Sequence, residues 1–272
     1  MDSVDVLMTP ETGAPSYHGP PLPALTGAQM ATVDERAMAR GLSLMLMMEN
    51  AGCLVARAAR LCLGETKVTG RSPSARPSIL VLAGGGGNGG GALAAGRRLA
   101  GQGFQVSAIS SVVKSRLITP TRRQWRLFTA VTGQPFMDSR GILEGGGHHR
   151  LPAAALMIDG LLGYSLQGAP HGAAAELIAA ANRHPAPVLA VDLPSGLDPD
   201  LGTVRGEAIE AVMTLTLVLP KCGLFGPDGR RLAGRVLLGD IGISPAWVAA
   251  AVPGLVAGEW YRGGDLQRLP AP

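Results

Sequence analysis

The sequence predicts a single α/β domain: a doubly wound, mostly parallel sheet with helices on both faces, in three layers. Three observations carry this expectation. Short apolar runs alternate with helical segments along the 272 residues. The first clear run, Ile79 to Ala83, passes through the glycine-rich stretch Gly84 to Gly91 into an Ala/Leu/Arg segment of helical composition. Hydrophobic residues make up 46% of the chain and aromatics only 4%, so the core is built from Ala, Val, Leu and Met, which suits closely spaced layers.

Taken in order, residues 1–24 carry Pro10, Pro15, Pro20, Pro21 and Pro23 among small polar residues and read as a disordered or loosely attached leader. Thr26 is placed to cap a first helix through Gln29, Met30, Val33 and Met38, which Gly41 interrupts. A second helix bears Leu44, Met45, Met48, Ala51, Leu54, Val55 and Ala58 at core-facing spacing. Its methionines, Met45, Met47 and Met48, read either as core packing or as an adaptable binding surface. Residues 71–77 are a polar linker into the first strand. Gln105 to Ser110 is the second strand, and Pro120 to Thr132 a helix opened by Thr119 and Pro120. The segment 141–150 is a loop whose adjacent His148 and His149 are better read as exposed polar residues than as metal ligands. Ala153 to Ile158 is a strand ending in Asp159, followed by a second glycine-bearing loop to Gly168 and a helix from Gly172 to Asn182. Strands at Val188–Val191, Met213–Leu219 and Arg235–Leu238 complete the sheet.

The formal net charge is +4, and the excess is local. No acidic residue occurs between Glu65 and Asp138, whereas Lys67, Arg71, Arg76, Arg97, Arg98, Lys114, Arg116, Arg122, Arg123 and Arg126 all fall there. Such a half attracts an anionic ligand. Nucleic acid is the weaker candidate, because no aromatic stacking motif accompanies the charge. Three cysteines, Cys53, Cys62 and Cys222, form no disulfide framework or metal spacing and suit a reducing compartment. An acidic N-terminus without an apolar core, and no apolar run of about 18 residues, lead to the expectation of a soluble, cytoplasmic protein.

In a doubly wound sheet, ligands bind beyond the carboxyl ends of the strands. There the sequence places Asn88 after the first strand, Asp159 at the end of a second, and Asp192 with Ser195 after a third. The glycine turn between strand and helix is a phosphate cradle, since the backbone can approach a ligand closely and the helix start presents free N–H groups. Gly84-x-Gly86-x-x-Gly89 also satisfies the dinucleotide-binding fingerprint. That fingerprint needs an acid about 20 residues on, and Ser107 to Ser115 contains none, so an ordinary NAD-dependent dehydrogenase is disfavoured.

Read together, Leu25-Thr-Gly-Ala-Gln-Met30, Met48-Glu-Asn-Ala-Gly52, the Gly84 to Gly91 turn, Ile158-Asp-Gly-Leu-Leu-Gly163, Val191-Asp-Leu-Pro-Ser-Gly196, Leu219-Pro-Lys-Cys-Gly223 and Gly239-Asp-Ile-Gly-Ile243 resemble the NAD(P)H-hydrate epimerase family, the YjeF N-terminal domain. The resemblance spans residues 25–245, with 246–272 left as a C-terminal extension, and nothing there resembles the dehydratase domain that some members carry. It implies a stand-alone, Rossmann-like epimerase domain acting on the R and S forms of hydrated NADH and NADPH. It further implies a potassium ion held by Asn88, Asp159 and Ser195, whose hard oxygen donors suit such a cation. Substrate is expected at Gly87, Asn88, Gly89, Gly90 and Gly91, at Gly163, Tyr164, Ser165, Leu166, Gln167 and Gly168, and at Asp192. Asp192 is the expected proton-transfer residue, with Lys221 as a second. A homodimer through the N-terminal helices is also implied.

Two departures from the family pattern stand out. Its Asn-Asn-Gly-Gly-Asp-Gly turn reads Gly87-Asn-Gly-Gly-Gly-Ala92 here, and its Gly-Thr-Gly reads Gly163-Tyr-Ser165. The rival reading is therefore a catalytically degenerate domain that binds a nucleotide-like ligand or a protein partner.

Overall fold

The computed structural model describes residues 14–65, 76–140 and 151–270. His148, His149, Lys67, Arg71 and most of the 71–77 linker lie outside the described residues. Seven strands form one sheet: β1 (Ser78–Ala83), β2 (Gln105–Ser110), β3 (Leu156–Gly160), β4 (Val188–Val191), β5 (Met213–Leu217), β6 (Arg235–Gly239) and β7 (Leu266–Arg268). Their order is β2-β1-β3-β4-β5-β6-β7, parallel throughout except for the antiparallel pair β6 and β7. From β1 the chain first steps to β2 and then returns to place β3 on the other side of β1. The turns after β1 and β3 consequently diverge and leave a crevice at that switch point.

The helices are α1 (Gly27–Ala39), α2 (Leu44–Glu65), α3 (Gly87–Gly101), α4 (Thr119–Thr132), α5 (Gly172–Asn182), α6 (Pro227–Leu232) and α7 (Pro245–Ala251). One face of the sheet, with Ile79, Val81, Leu189 and Val191, packs against Val33, Leu54, Val55, Leu99 and Phe128 of α1 to α4 and Val248 of α7. The alternate residues Leu80, Leu82, Met157 and Ala190 face Leu177 and Ile178 of α5. Strands buried on both sides are the reason these runs read as continuous apolar segments.

Local chemistry sets the helix starts. Thr26 Oγ1 accepts from Gln29 N at 3.2 Å while Gln29 Oε1 accepts from Thr26 N at 2.9 Å, a capping box that fixes where α1 begins. Leu25 just before it is tied to the segment after β5, with Leu25 N donating to Pro220 O and Cys222 N to Leu25 O. The Met48 to Gly52 motif is structural. Glu49 takes hydrogen bonds from Arg97 and Arg98 of α3 and Gln124 of α4, and Asn50 Nδ2 donates to Ile241 O at 2.8 Å.

Two parts of the expected domain plan differ from the observed chain. Within the expected leader, residues 14–24 are attached: Ser16 bridges to Arg268, Tyr17 N donates to Arg268 O at 2.8 Å, and Leu22 packs on the core. The expected C-terminal extension supplies α7 and strand β7. Its buried Val248, Trp260 and Leu266 join the main core, so it completes the domain instead of trailing from it. Spaced apolar residues among glycines and prolines carry too little periodicity to announce either contribution. Among the described residues no single helix is long and apolar enough to cross a membrane.

Helix α2 crosses α3 at Gly52, where an added Cβ would sit 2.5 Å from Ala94 Cβ, whereas nothing lies within 4 Å of one at exposed Gly64 on the same helix. Gly52→Ala should therefore lose about 1–3 kcal/mol in urea denaturation through overpacking. Gly64→Ala should gain roughly 0.5–1 kcal/mol from helix propensity. Equal effects at the two sites would show that the helices are not in contact at Gly52.

Candidate functional site

A cavity of about 980 Å³ opens at the switch point. Its floor is made where β1 and β3 release the chain. Gly84 N donates to Gly160 O at 2.9 Å, and a Cβ on Gly84 would collide with Leu161 O. One on Gly89 would collide with the Gly84 carbonyl. This approach leaves no room for side chains at either position, and it brings Asn88 of α3 beside the loops after β3 and β4.

Asp159, at the end of β3, is wholly buried. It accepts from Leu161 N at 3.1 Å, Ser195 N at 2.8 Å and Ser195 Oγ at 2.6 Å. Burial pushes its carboxyl up to about 6 against the pull of those bonds. Ser195 Oγ accepts from Leu162 N at 2.8 Å, and Asn88 Nδ2 donates to Leu162 O at 3.0 Å and Val191 O at 3.1 Å. Asn88, Asp159 and Ser195, far apart in sequence, thus form one connected polar cluster. Asn88 faces the cavity while Asp159 and Ser195 lie behind its wall. The cluster contains a buried carboxylate, a hydroxyl and two carbonyls toward which the positive end of an amide dipole is turned. No cationic side chain contributes, and a hard cation fits such a set.

Asp192 follows β4 with φ of 70°, a left-handed conformation that Asp tolerates better than most residues. Its Oδ1 is ion-paired with Lys221 Nζ and also accepts from Leu217 N at 3.3 Å, while Oδ2 has no hydrogen-bond partner among the described residues. Both residues line the cavity. Lys221, expected as a second proton-transfer group, has its protons committed: besides Asp192 it donates to Leu217 O at 2.8 Å and Leu219 O at 3.2 Å. An ammonium has three donors, so Lys221 holds Asp192 and has none left for a ligand.

Gly87, Asn88 and Gly91 line the cavity, as do Gly163, Tyr164, Ser165, Leu166 and Gln167. Gly89, Gly90 and Gly168, expected to contact substrate, are not among its lining residues. Gly89 serves the close approach to Gly84, and Gly90 faces the buried Met48 side chain. Gly87 and Gly91 are different: added Cβ atoms there would meet only Leu44 Cδ1 at 3.7 Å and Ala51 Cβ at 3.5 Å. Both positions have space for a side chain. Of the methionines, Met47 and Met48 are buried, as core packing requires, and also line the cavity with Met30, whereas Met45 is half-buried and does not line it.

Sequence reasoning missed Asp34 of α1, which lines the cavity and accepts a hydrogen bond from Tyr164 Oη. Burial raises its carboxyl to about 6; the Tyr164 bond and Lys221 oppose that rise, and Asp192 adds to it. Burial and then the Asp34 charge also push the Tyr164 hydroxyl upward. A lone acid on an amphipathic helix carries no signal in sequence, although the spacing from the Thr26 cap places it on the same side as Met30. Because Asp34 titrates in the folded state above its usual 3.8, the folded state holds a proton between about 6 and 4 that the unfolded chain has released. Its effect on stability therefore improves as pH falls through that window and worsens as pH rises through about 6. Urea denaturation of Asp34→Asn should compare more favourably with the unsubstituted chain above about pH 7 than near pH 5. The reverse order would mean that Lys221 holds Asp34 ionised.

The family model described as YjeF-related protein N-terminus matches residues 45–223. An NAD(P)H-hydrate epimerase of Dehalogenimonas lykanthroporepellens is 38% identical over 232 residues, covering 84% of this chain and 85% of that protein. One of Bordetella pertussis is 34% identical over 232 residues, covering 82% and 90%. The bifunctional NAD(P)H-hydrate repair enzyme Nnr of Pyrobaculum aerophilum is 33% identical over 241 residues, 85% of this chain but 44% of that protein. The crystal structure of yeast ynu0 shares the fold, with a TM-score of 0.72 at 19% identity, covering 91% of this chain and all of that one.

Proposed function

The chain belongs to the family of YjeF-related protein N-termini, and on that premise we propose that it is an NAD(P)H-hydrate epimerase interconverting the R and S forms of hydrated NADH and NADPH. One observation carries this reading. Asp192, with one carboxylate oxygen held by Lys221 and the other unpaired, stands at the cavity beside the cluster that joins Asn88, Asp159 and Ser195.

The substrate bears a hydroxyl on the carbon next to the nitrogen of its reduced nicotinamide ring. The nitrogen lone pair expels that hydroxyl, which leaves as water after gaining a proton, and the ring becomes an iminium. Water returning to the opposite face gives up a proton and completes the inversion. Asp192 is the group that moves protons at the ring, and its carboxylate also stabilises the iminium charge. Lys221 fixes the direction of that carboxylate. The apolar wall of Met30, Met47 and Met48 suits the uncharged reduced ring. The free N–H groups of the first turn of α3 and the glycine backbone before it suit the diphosphate.

Asn88, Asp159 and Ser195 would hold a potassium ion with the carbonyls of Leu162 and Val191. When bound, the ion supplies the positive charge that buried Asp159 lacks. Its role is to stiffen the loops carrying Asp192 and Tyr164.

A second reading, binding without turnover, is favoured by the missing side chains at Gly87 and Gly91. Incubation with the R epimer separates the two: the chain should speed formation of the epimer mixture over buffer, and Asp192→Ala should lower that acceleration by about two to four orders of magnitude. A rate equal to that in buffer would leave only the binding reading. Potassium is tested apart from activity. The unfolding midpoint should be higher in potassium chloride than in choline chloride at equal ionic strength, by the equivalent of about 1.4 kcal/mol at ten times the dissociation constant. Asn88→Ala and Ser195→Ala should remove the difference, and identical midpoints for the unsubstituted chain would rule the ion out.

A further inference from the structure

The cavity follows the carboxyl ends of the strands across the sheet. Asp192 stands after β4, the glycine turn after β1, and Val112, Val113 and Arg116 after β2. Since the order is β2-β1-β3-β4 and neighbouring strands are about 4.8 Å apart, the crevice extends roughly 14 Å between its two ends. A dinucleotide with its reduced ring at Asp192 and its diphosphate over the glycine turn therefore brings its adenosine ribose to the end of β2. This placement rests on the epimerase reading.

The wall at that end is built around Arg116. The turn Lys114–Arg116 is fastened to the cradle, with Ile118 N donating to Gly85 O at 3.1 Å. Arg122 Nη2 clamps the same turn, donating to Leu117 O at 3.0 Å and Ser115 O at 3.3 Å. Arg116 lines the cavity and is exposed, and its side chain makes no hydrogen bond or ion pair to another described residue. Of the other described cations in the acid-free segment, Arg97 and Arg98 are matched by Glu49, and Lys114 of the same turn is not among the residues lining the cavity. Asp138, the acid on this side of the cavity, is taken by Arg140 at 2.8 Å, which holds its carboxyl below the usual range. A ribose here meets an unmatched guanidinium and no unmatched carboxylate.

We propose that Arg116 reads the 2′-phosphate of the adenosine ribose, so that the crevice prefers hydrated NADPH to hydrated NADH. In dinucleotide folds a carboxylate after the second strand accepts from a free 2′-hydroxyl, and an arginine there accommodates a 2′-phosphate. The absence of an acid after β2 thus selects between the two forms of the substrate. A planar guanidinium pairs with phosphate through charge-assisted bonds that a neutral hydroxyl cannot match.

The test compares kcat/KM of the full chain on the R epimers of hydrated NADPH and hydrated NADH. The ratio should favour the phosphorylated form by about tenfold or more, the scale of one hydrogen bond to a charged group. Arg116→Ala should bring that ratio towards one, and Arg116→Lys should keep part of it. An unsubstituted ratio near one, or a loss in Arg116→Ala falling equally on both substrates as a diphosphate contact would produce, overturns the proposal. If neither substrate is turned over, the epimerase reading has failed, and calorimetric titration with NADP+ and NAD+ decides the matter separately. Tighter NADP+ binding that Arg116→Ala abolishes supports the assignment, and equal binding of the two overturns it.

Discussion

The arrangement of the crevice depends on a carboxylate that water does not reach. Asp159 ties the end of β3 to the start of the loop after β4 through Leu161 N, Ser195 N and Ser195 Oγ. Those bonds orient Leu162 and Val191, whose carbonyls in turn receive Asn88 from the first turn of α3. The end of β3, the loop after β4 and the start of α3 are thereby tied together at the switch point. A buried charge is expensive unless it is compensated, and the described residues compensate this one with the dipoles of Leu161 and Ser195. Removing one partner would leave a cost that none of its neighbours offsets.

Charge is handled differently on either side of that lock. On the β4 side, Lys221 donates to Asp192 and two carbonyls, so among the described residues one carboxylate oxygen of the pair is left uncommitted. On the β2 side the uncommitted charge is a cation. Between them Glu49 arrives from α2 to bind Arg97 and Arg98 together with Gln124, so these two guanidiniums are tied within the helix layer. The crevice is polarised along its length more than the net charge of the chain suggests.

The elements and the strand-end polar residues were legible in the sequence because each rests on a local signal. The Thr26 cap and the strands at 105–110 and 188–191 lie where their patterns place them, whereas α3 begins at Gly87, inside the glycine stretch that the sequence reads as the turn before the helix. The convergence of Asn88, Asp159, Asp192 and Ser195 follows from one topological rule applied to those strands. What stayed hidden needs three dimensions. In a run of glycines, those that cradle a ligand look the same as those that let backbones touch, and only the neighbours of Gly89 and Gly90 separate them from Gly87 and Gly91. Asp34 and Tyr164 are 130 residues apart and meet only through the docking of α1, which Leu25 fastens beside Lys221. The share of β7 in the sheet was unreadable because a three-residue antiparallel strand has no period to detect.

The pairing of residues 15–17 with Arg268 gathers the two described ends of the chain on one edge of the sheet, with β4, β5 and β6 between them and the switch point. The antiparallel pair β6 and β7 thus closes the sheet at the edge away from the switch point, and the described ends are set apart from the glycine turn by the width of three strands.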